Sequence, residues 1–177
     1  YISYKNKIKN NLKYKIWIIN DKHDKAGDSG EYFFRYLKLK KPIGIQVYFA
    51  IDKNCSDYKR LKILEDIIDL NSNKYKNLFL LSNKLISSVY NNLLYNPFKK
   101  YELYIRDLFD FNLIFLPNIY VKEDGAKNFI NFDKLFNILI NSSCNENKYV
   151  FNFQNTSNYN NTILNGIQKI DNLQNYV

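Results

Sequence analysis

Glycine, proline, cysteine, histidine and methionine are scarce or absent in this chain of 177 residues. It contains five glycines, three prolines, two cysteines, one histidine, one tryptophan and no methionine. With so few glycines and prolines, no flexible linker rich in these residues divides the chain. We therefore expect a single domain, which at this length is large enough to bury a hydrophobic core.

The few cysteines and the lone histidine also limit the chemistry that the chain can carry. Cys55 and Cys144 are far apart in the sequence and have no metal-ligand spacing, so we expect reduced thiols rather than a disulfide framework. Zinc sites are built mainly from cysteine and histidine, and we expect neither a metal nor a cofactor. His23 lies in a charged loop and is interpreted as a solvated side chain rather than a catalytic base.

Long apolar runs are missing as well. The apolar runs, for example those at residues 16–19, 78–81 and 113–116, are much shorter than the roughly 20 residues that cross a bilayer. The amino end lacks the apolar core of a signal peptide, so we expect a cytoplasmic protein. The chain begins with Tyr1 and has no methionine, which leads us to expect a fragment or a processed product.

Acidic residues are outnumbered, and the net charge of +9 indicates an anionic partner. Residues 1–14 form a basic amino-terminal segment, since the first fifteen residues hold five lysines and no acid. The five lysines of the first fifteen residues, at about 1 kcal/mol each, would attract this end of the chain to an anionic membrane by roughly 5 kcal/mol at most. This is enough for reversible, peripheral attachment at the inner face of the membrane.

Polyanionic polymers and nucleic acids satisfy the same charge. Aromatic residues make up 17% of the chain and interleave with lysines, a mixture that can stack on single-stranded nucleic acid. Most of these aromatics, however, fall on apolar faces of predicted strands and helices, which favours packing in the core. Nucleic acid is therefore the least favoured partner.

Residues 15–177 show strand and helix patterns in alternation, which predicts one Rossmann-like α/β domain with a mostly parallel sheet and helices on both faces. The predicted strands are 14–20, 45–51, 67–70, 84–89, 113–116, 138–140 and 162–164. The predicted helices are 30–39, 57–65, 73–81, 101–109 and 131–136. Ser56 or Asp57 is expected to cap the second helix and Ser72 the third.

The first turn after a strand offers a candidate site. Asp28, Ser29 and Gly30 follow the first predicted strand and open the first predicted helix, whose amino terminus can hold an anionic group. The alternative is that Asp28 or Ser29 only caps this helix. The spaced glycines of a dinucleotide-binding turn are absent.

Residues 112–122, with the sequence NLIFLPNIYVK, carry the most informative motif. They resemble the Phe-Leu-Gln-His-Gly-x-x-Lys signature of the CDP-glycerol glycerophosphotransferases, which build teichoic-acid-like polymers. Phe115, Leu116 and Lys122 match this signature, whereas Asn118 and Ile119 stand in place of its His-Gly pair. Further segments at 16–36, 47–60, 84–98 and 166–173 resemble the family in the same order, so that the likeness spans residues 15–173.

This resemblance implies a two-lobed glycosyltransferase fold of the GT-B type, of which the chain would be the amino-terminal, acceptor-side lobe. The family moves glycerol phosphate from CDP-glycerol to a hydroxyl of a lipid-linked or polymeric glycan. CDP-glycerol is expected as a ligand only if a second, nucleotide-binding lobe exists. Asn118 cannot accept a proton at neutral pH, and loss of a general base costs about 10²–10⁴-fold in rate. We therefore expect little or no turnover by this chain alone.

The resemblance also implies that Lys122, Ser143 and Glu146 contact the acceptor or its phosphate. Lys122 would hold a phosphate as a point charge, or else be an ordinary loop lysine. Ser143 and Glu146 would alternatively form part of a helix cap. A different class of function stays open beside the transferase, namely a non-catalytic domain that binds a polyanionic glycan or an anionic membrane.

Overall fold

A computed structural model describes residues 8–89, 96–98 and 111–116, and the backbone of two further strands at 138–141 and 162–164. The described residues include seven strands, which form one sheet in which all neighbouring pairs are parallel. They are β1 (Lys15–Asn20), β2 (Ile45–Ile51), β3 (Ile67–Asp69), β4 (Lys84–Ser87), β5 (Asn112–Phe115), β6 (Ile138–Asn141) and β7 (Thr162–Leu164).

Three α-helices alternate with the first strands. They are α1 (Ser29–Lys40), α2 (Ser56–Leu61), which continues into a 3₁₀ turn (Lys62–Leu64), and α3 (Asn73–Leu81). Residues 8–11 form one further helical turn. The helices predicted at 101–109 and 131–136 lie outside the described residues.

The predicted capping residues of α2 and α3 differ in outcome. The prediction of Ser56 or Asp57 as the cap of α2 is wrong, because Cys55 takes this position and forms no side-chain capping bond. Asp57 instead accepts a hydrogen bond of 2.9 Å from the amide of Ala26, which diverts its carboxylate from the helix end. Ser72 caps α3 as predicted, since its Oγ accepts a 3.1 Å bond from the Tyr75 amide.

The strand order is β3-β2-β1-β4-β5-β6-β7. From β1 the chain adds β2 and β3 on one side of the sheet. From β4 it adds β5, β6 and β7 on the other side. The topological switch point therefore lies between the neighbouring strands β1 and β4. Open parallel sheets bind their ligands at this point, beyond the carboxyl ends of the strands. This arrangement confirms the predicted parallel α/β class.

Helices cover both faces of the sheet. Successive strand residues point to opposite faces, so Ile19 packs in one apolar cluster while Ile18 packs in the other. The Ile19 cluster includes Phe34 of α1 and Leu61 of α2, and the Ile18 cluster includes Phe79 of α3. These two layers pack against β1 and β4 and thereby position the residues that follow them.

Candidate functional site

Asp21 comes directly after β1 and is fully buried at the switch point. Its Oδ1 accepts hydrogen bonds from the Gly30 amide (2.8 Å) and from the Ser88 hydroxyl (2.6 Å). Its Oδ2 accepts bonds from the amides of Asp28 (3.0 Å) and Glu31 (3.1 Å). The first amides of a helix have no partner within the helix, and here a carboxylate of the protein itself satisfies them. The anion at the amino terminus of α1 is therefore internal.

This arrangement bears on the predicted residues Asp28, Ser29 and Gly30. Asp28 stands at the cap position of α1, but its side chain forms no capping bond. The alternative that Asp28 caps the helix is therefore wrong, since the Asp21 carboxylate accepts bonds from the amides of Asp28, Gly30 and Glu31. Ser29 and Gly30 are buried. The amides of Asp28 and Gly30 already bind Asp21, and the role of the three residues in acceptor contact stays a prediction.

Gly30 permits the close approach of α1 to β1. A Cβ atom at this position would lie 2.7 Å from the Asn20 carbonyl oxygen and would also collide with Asp21 Oδ1. No side chain larger than hydrogen fits between the helix and the strand end. The glycine is thus required by packing, in addition to any contact that it makes with a ligand.

Burial raises the pKa of Asp21 from 3.8 to about 6, because the charged carboxylate loses its hydration. Hydrogen bonds from Ser88, Asp28 and Glu31 act in the opposite direction, and the nearby charge of Asp28 raises the pKa further. Since both oxygens are occupied and the side chain has no exposure, Asp21 organises the crevice and is not placed to take a proton from an acceptor.

A second network of side-chain hydrogen bonds is centred on Glu31 of α1. Glu31 is 4% exposed, and both of its oxygens accept hydrogen bonds from Arg60 of α2, at 2.6 and 2.8 Å. Arg35 adds a bond of 2.8 Å to Glu31. Burial by itself would raise the pKa of Glu31, but the bonds from the two arginines outweigh this effect and lower it. Because Arg60 lies in α2 and Glu31 in α1, these charge-assisted bonds join the two helices, and Arg60 also contacts Asp57 within α2.

Sequence patterns alone did not single out Asp21 and Ser88. Their position is the signal that marks them, since Asp21 follows the largely buried strand β1 and Ser88 follows β4, its neighbour in the sheet. His23, which lies in the same loop as Asp21, has a side chain that is 62% exposed, in agreement with a solvated histidine.

The other predicted site residues, Asn118, Lys122, Ser143 and Glu146, lie outside the described residues. The strand that leads towards Asn118 is described: β5 pairs with β4, and Leu116 donates a 2.8 Å backbone bond to the Ser87 carbonyl. The carboxyl end of β5 is therefore at the same edge of the sheet as Asp21 and Ser88.

Within the described ranges, no group of three or more His, Cys, Asp or Glu residues is arranged to hold a metal ion. No helix of this part of the chain has the length and the apolar character that a membrane crossing requires.

The strand order, the two helical layers and the polar switch point define a Rossmann-like α/β domain. No protein-family model matches the chain. Over 163 residues, or 90% of its length, the chain is 34% identical to the Minor teichoic acid biosynthesis protein GgaB of Bacillus subtilis (strain 168). The match covers 18% of GgaB, so the chain spans less than a fifth of the length of this curated relative. The match confirms the resemblance to proteins of teichoic acid biosynthesis that the motifs indicated.

Proposed function

We propose that the chain is the acceptor-side lobe of a CDP-glycerol glycerophosphotransferase-like protein that takes part in the synthesis of a teichoic acid or capsule-like polymer. The observation that carries this proposal is the 34% identity with GgaB over 90% of the chain. The motif at residues 112–122 supports the reaction type, and the parallel sheet with its switch point is consistent with the first lobe of a GT-B enzyme.

In this proposal the acceptor, a lipid-linked or polymeric glycan, binds along the carboxyl edge of the sheet near β1, β4 and β5. Lys122 would hold a phosphate of the acceptor, and Ser143 and Glu146 would bind its hydroxyl groups. Asp21 would keep the crevice in shape by fixing α1 against Ser88. CDP-glycerol would be held by a second lobe, and with Asn118 in place of a base the chain has little or no turnover alone.

Calorimetry on the purified chain tests the division between the lobes. A soluble acceptor primed with glycerol phosphate should bind, whereas CDP-glycerol should give no heat of binding. Lys122→Gln should weaken acceptor binding by about fivefold, because one charge-assisted contact is lost. Lys62→Gln, which removes an exposed lysine from the 3₁₀ turn, serves as the control of equal charge.

The same mixture of chain, acceptor and CDP-glycerol should release no CMP. Release of CMP that Asn118→Ala abolishes would contradict the proposal of an inactive lobe. Binding of CDP-glycerol without binding of the acceptor would contradict the assignment of the chain to the acceptor side.

We also propose that the protein works in the cytoplasm at the inner face of the membrane. The net charge of +9 and the lysines of residues 1–14 support this location, because anionic lipids attract such segments. A non-catalytic role as a scaffold for a polyanionic glycan is the second candidate function. It is favoured by Lys13, Lys15 and Lys84, which lie at one end of the sheet and form no ion pair within the described residues.

A further inference from the structure

A cleft of about 630 Å³ lies at the amino edge of the sheet, the edge opposite to the switch point. One wall is formed by the amino-terminal segment, residues 9–14. The other is formed by the first residues of three adjacent strands, Lys15 of β1, Lys84 of β4 and Asn112 of β5. The fold therefore brings the basic segment together with residues that are distant in the sequence.

The cleft is strongly cationic. Its lining includes Lys9, Lys13, Lys15 and Lys84, and none of its lining residues is acidic. In the part of the chain that the structure describes, Lys13, Lys15 and Lys84 take part in no ion pair. This contrasts with Lys38 and Lys53, which pair with Asp66 and Asp69 and whose charge is compensated.

Lys84 is held in place by an aromatic ring. Its Nζ lies 4.5 Å from the centroid of the Trp17 ring. Trp17 is the residue of the neighbouring strand β1 that pairs with Lys84. The face of an indole attracts an ammonium group without neutralising its net charge. Lys84 is thus ordered by a neighbour that leaves its charge available to an anion.

The shape of the site favours a linear ligand over a flat membrane. Helices that lie on a bilayer present a face of large apolar side chains beside their lysines. Here the lysines line a concave cleft whose large apolar lining residues are Leu12 and Tyr14. The most exposed large apolar side chains, Leu39, Ile43 and Ile63, lie outside this lining. A chain of phosphates can enter the cleft and contact several lysines at once.

We propose that this cleft binds a linear phosphodiester polyanion, which is the glycerol-phosphate chain of the polymer. The identification of the polymer as a glycerol-phosphate chain rests on the proposed function. The cationic character of the cleft rests on its lining residues alone. Because the cleft and the switch point lie at opposite edges of the sheet, the polymer is held here without blocking the acceptor crevice.

Trp17 provides a local readout, because it is the only tryptophan of the chain and contacts Lys84. Polyglycerol phosphate added to the intact chain should change the Trp17 fluorescence in a saturable way. Affinity should fall with salt, with a slope of log K against log salt of about −0.7 for each phosphate contacted, if it behaves as a single-stranded phosphodiester chain does.

Lys13→Gln combined with Lys15→Gln removes two exposed charges from the cleft and leaves the Lys84–Trp17 contact in place. We expect about tenfold weaker binding and a salt slope shallower by about 1.4. Lys59→Gln combined with Lys62→Gln removes the same charge from exposed positions on α2 and the 3₁₀ turn, and should have little effect.

Equal weakening by the two double variants would overturn the site, since only net charge would then matter. If phosphatidylglycerol vesicles change the Trp17 fluorescence and the polymer does not, the cleft binds a membrane and not the polymer. Tighter binding of an oligonucleotide with the same number of phosphates would overturn the choice of polymer. Acceptor calorimetry with Lys122→Gln tests the proposed function independently of these outcomes.

Discussion

The Ser88 hydroxyl donates a hydrogen bond of 2.6 Å to Oδ1 of Asp21 and so joins the carboxyl ends of β1 and β4. The same carboxylate accepts bonds from three amides at the start of α1. The partial positive charge of the helix end favours a carboxylate at this place and offsets part of the cost of burying it. One side chain thus fixes two strands and one helix around the switch point.

Replacing Asp21 should destabilise the fold. Asp21→Ala leaves the buried amides of Gly30 and Glu31 and the Ser88 hydroxyl without their acceptor, which we expect to cost about 3 kcal/mol or more in the free energy of unfolding. Urea denaturation measures the loss. Asp24→Ala, at a side chain that is 60% exposed, should change stability by less than about 0.5 kcal/mol. Similar losses in the two variants would contradict the role of Asp21.

The raised pKa of Asp21 predicts that stability increases as the pH is lowered from 7 to 5. The folded state binds a proton near pH 6 and the unfolded state only near 3.8, so protons favour the folded form between these values. The gain from pH 7 to pH 5 should be about 1 kcal/mol. The lowered pKa values of Glu31 and Asp57 act below this window.

Denaturation curves at several pH values, compared with Asp21→Asn, check this dependence. The asparagine cannot titrate, so the gain attributed to Asp21 should vanish in the variant. A gain of equal size in the variant would show that other groups cause it.

Gly30→Ala tests the close packing of α1 on β1. Alanine stabilises an ordinary helix position by about 1 kcal/mol relative to glycine. At Gly30, however, the new Cβ would lie 2.7 Å from the Asn20 carbonyl oxygen, and we expect a net loss of about 2 kcal/mol from overpacking. Thermal denaturation measures it, with the exposed Lys40→Ala in the same helix as the control. A stabilised Gly30→Ala variant would refute the steric argument.

Arg60→Met should leave the buried carboxylate of Glu31 with Arg35 alone. We expect a loss of about 2 kcal/mol at pH 7, because a buried charge loses its bidentate partner. Arg35→Met should cost less, since Arg35 contacts only one of the two oxygens. The effect of Arg60→Met should shrink at acidic pH, because the pKa of Glu31 rises when Arg60 is removed and its carboxylate then protonates more readily. Denaturation curves of the Arg60→Met and Arg35→Met variants at pH 7 and pH 4 measure these losses in the free energy of unfolding.

The capping difference between α2 and α3 is testable with matched serines. Ser72→Ala removes the 3.1 Å bond to the Tyr75 amide and should cost about 1 kcal/mol. Ser56→Ala should cost less than about 0.5 kcal/mol, because the cap position of α2 is Cys55. Equal costs measured by denaturant unfolding would contradict this assignment.

The described strands were predictable from their runs of β-branched and aromatic residues, but their ends were less so. The residue pattern predicts the second strand at 45–51, and the strand has these bounds. The strand predicted at 113–116 is Asn112–Phe115, because the pairing of Asn112 with Lys84 of β4 sets its start. The strand predicted to reach residue 89 ends at Ser87, since Ser88 turns to bind Asp21.

The sequence by itself determined the alternation of strands and helices, the parallel α/β class, the basic amino-terminal segment and the resemblance to teichoic acid biosynthesis proteins. Each of these features is encoded by residues that lie close together in the sequence, so it can be inferred from the sequence alone. Only the tertiary structure decided that Ser88 would bind Asp21, 67 residues away, and that Lys84 would join Lys13 and Lys15 in one cleft. Both depend on strand order and register, which place distant strand ends side by side.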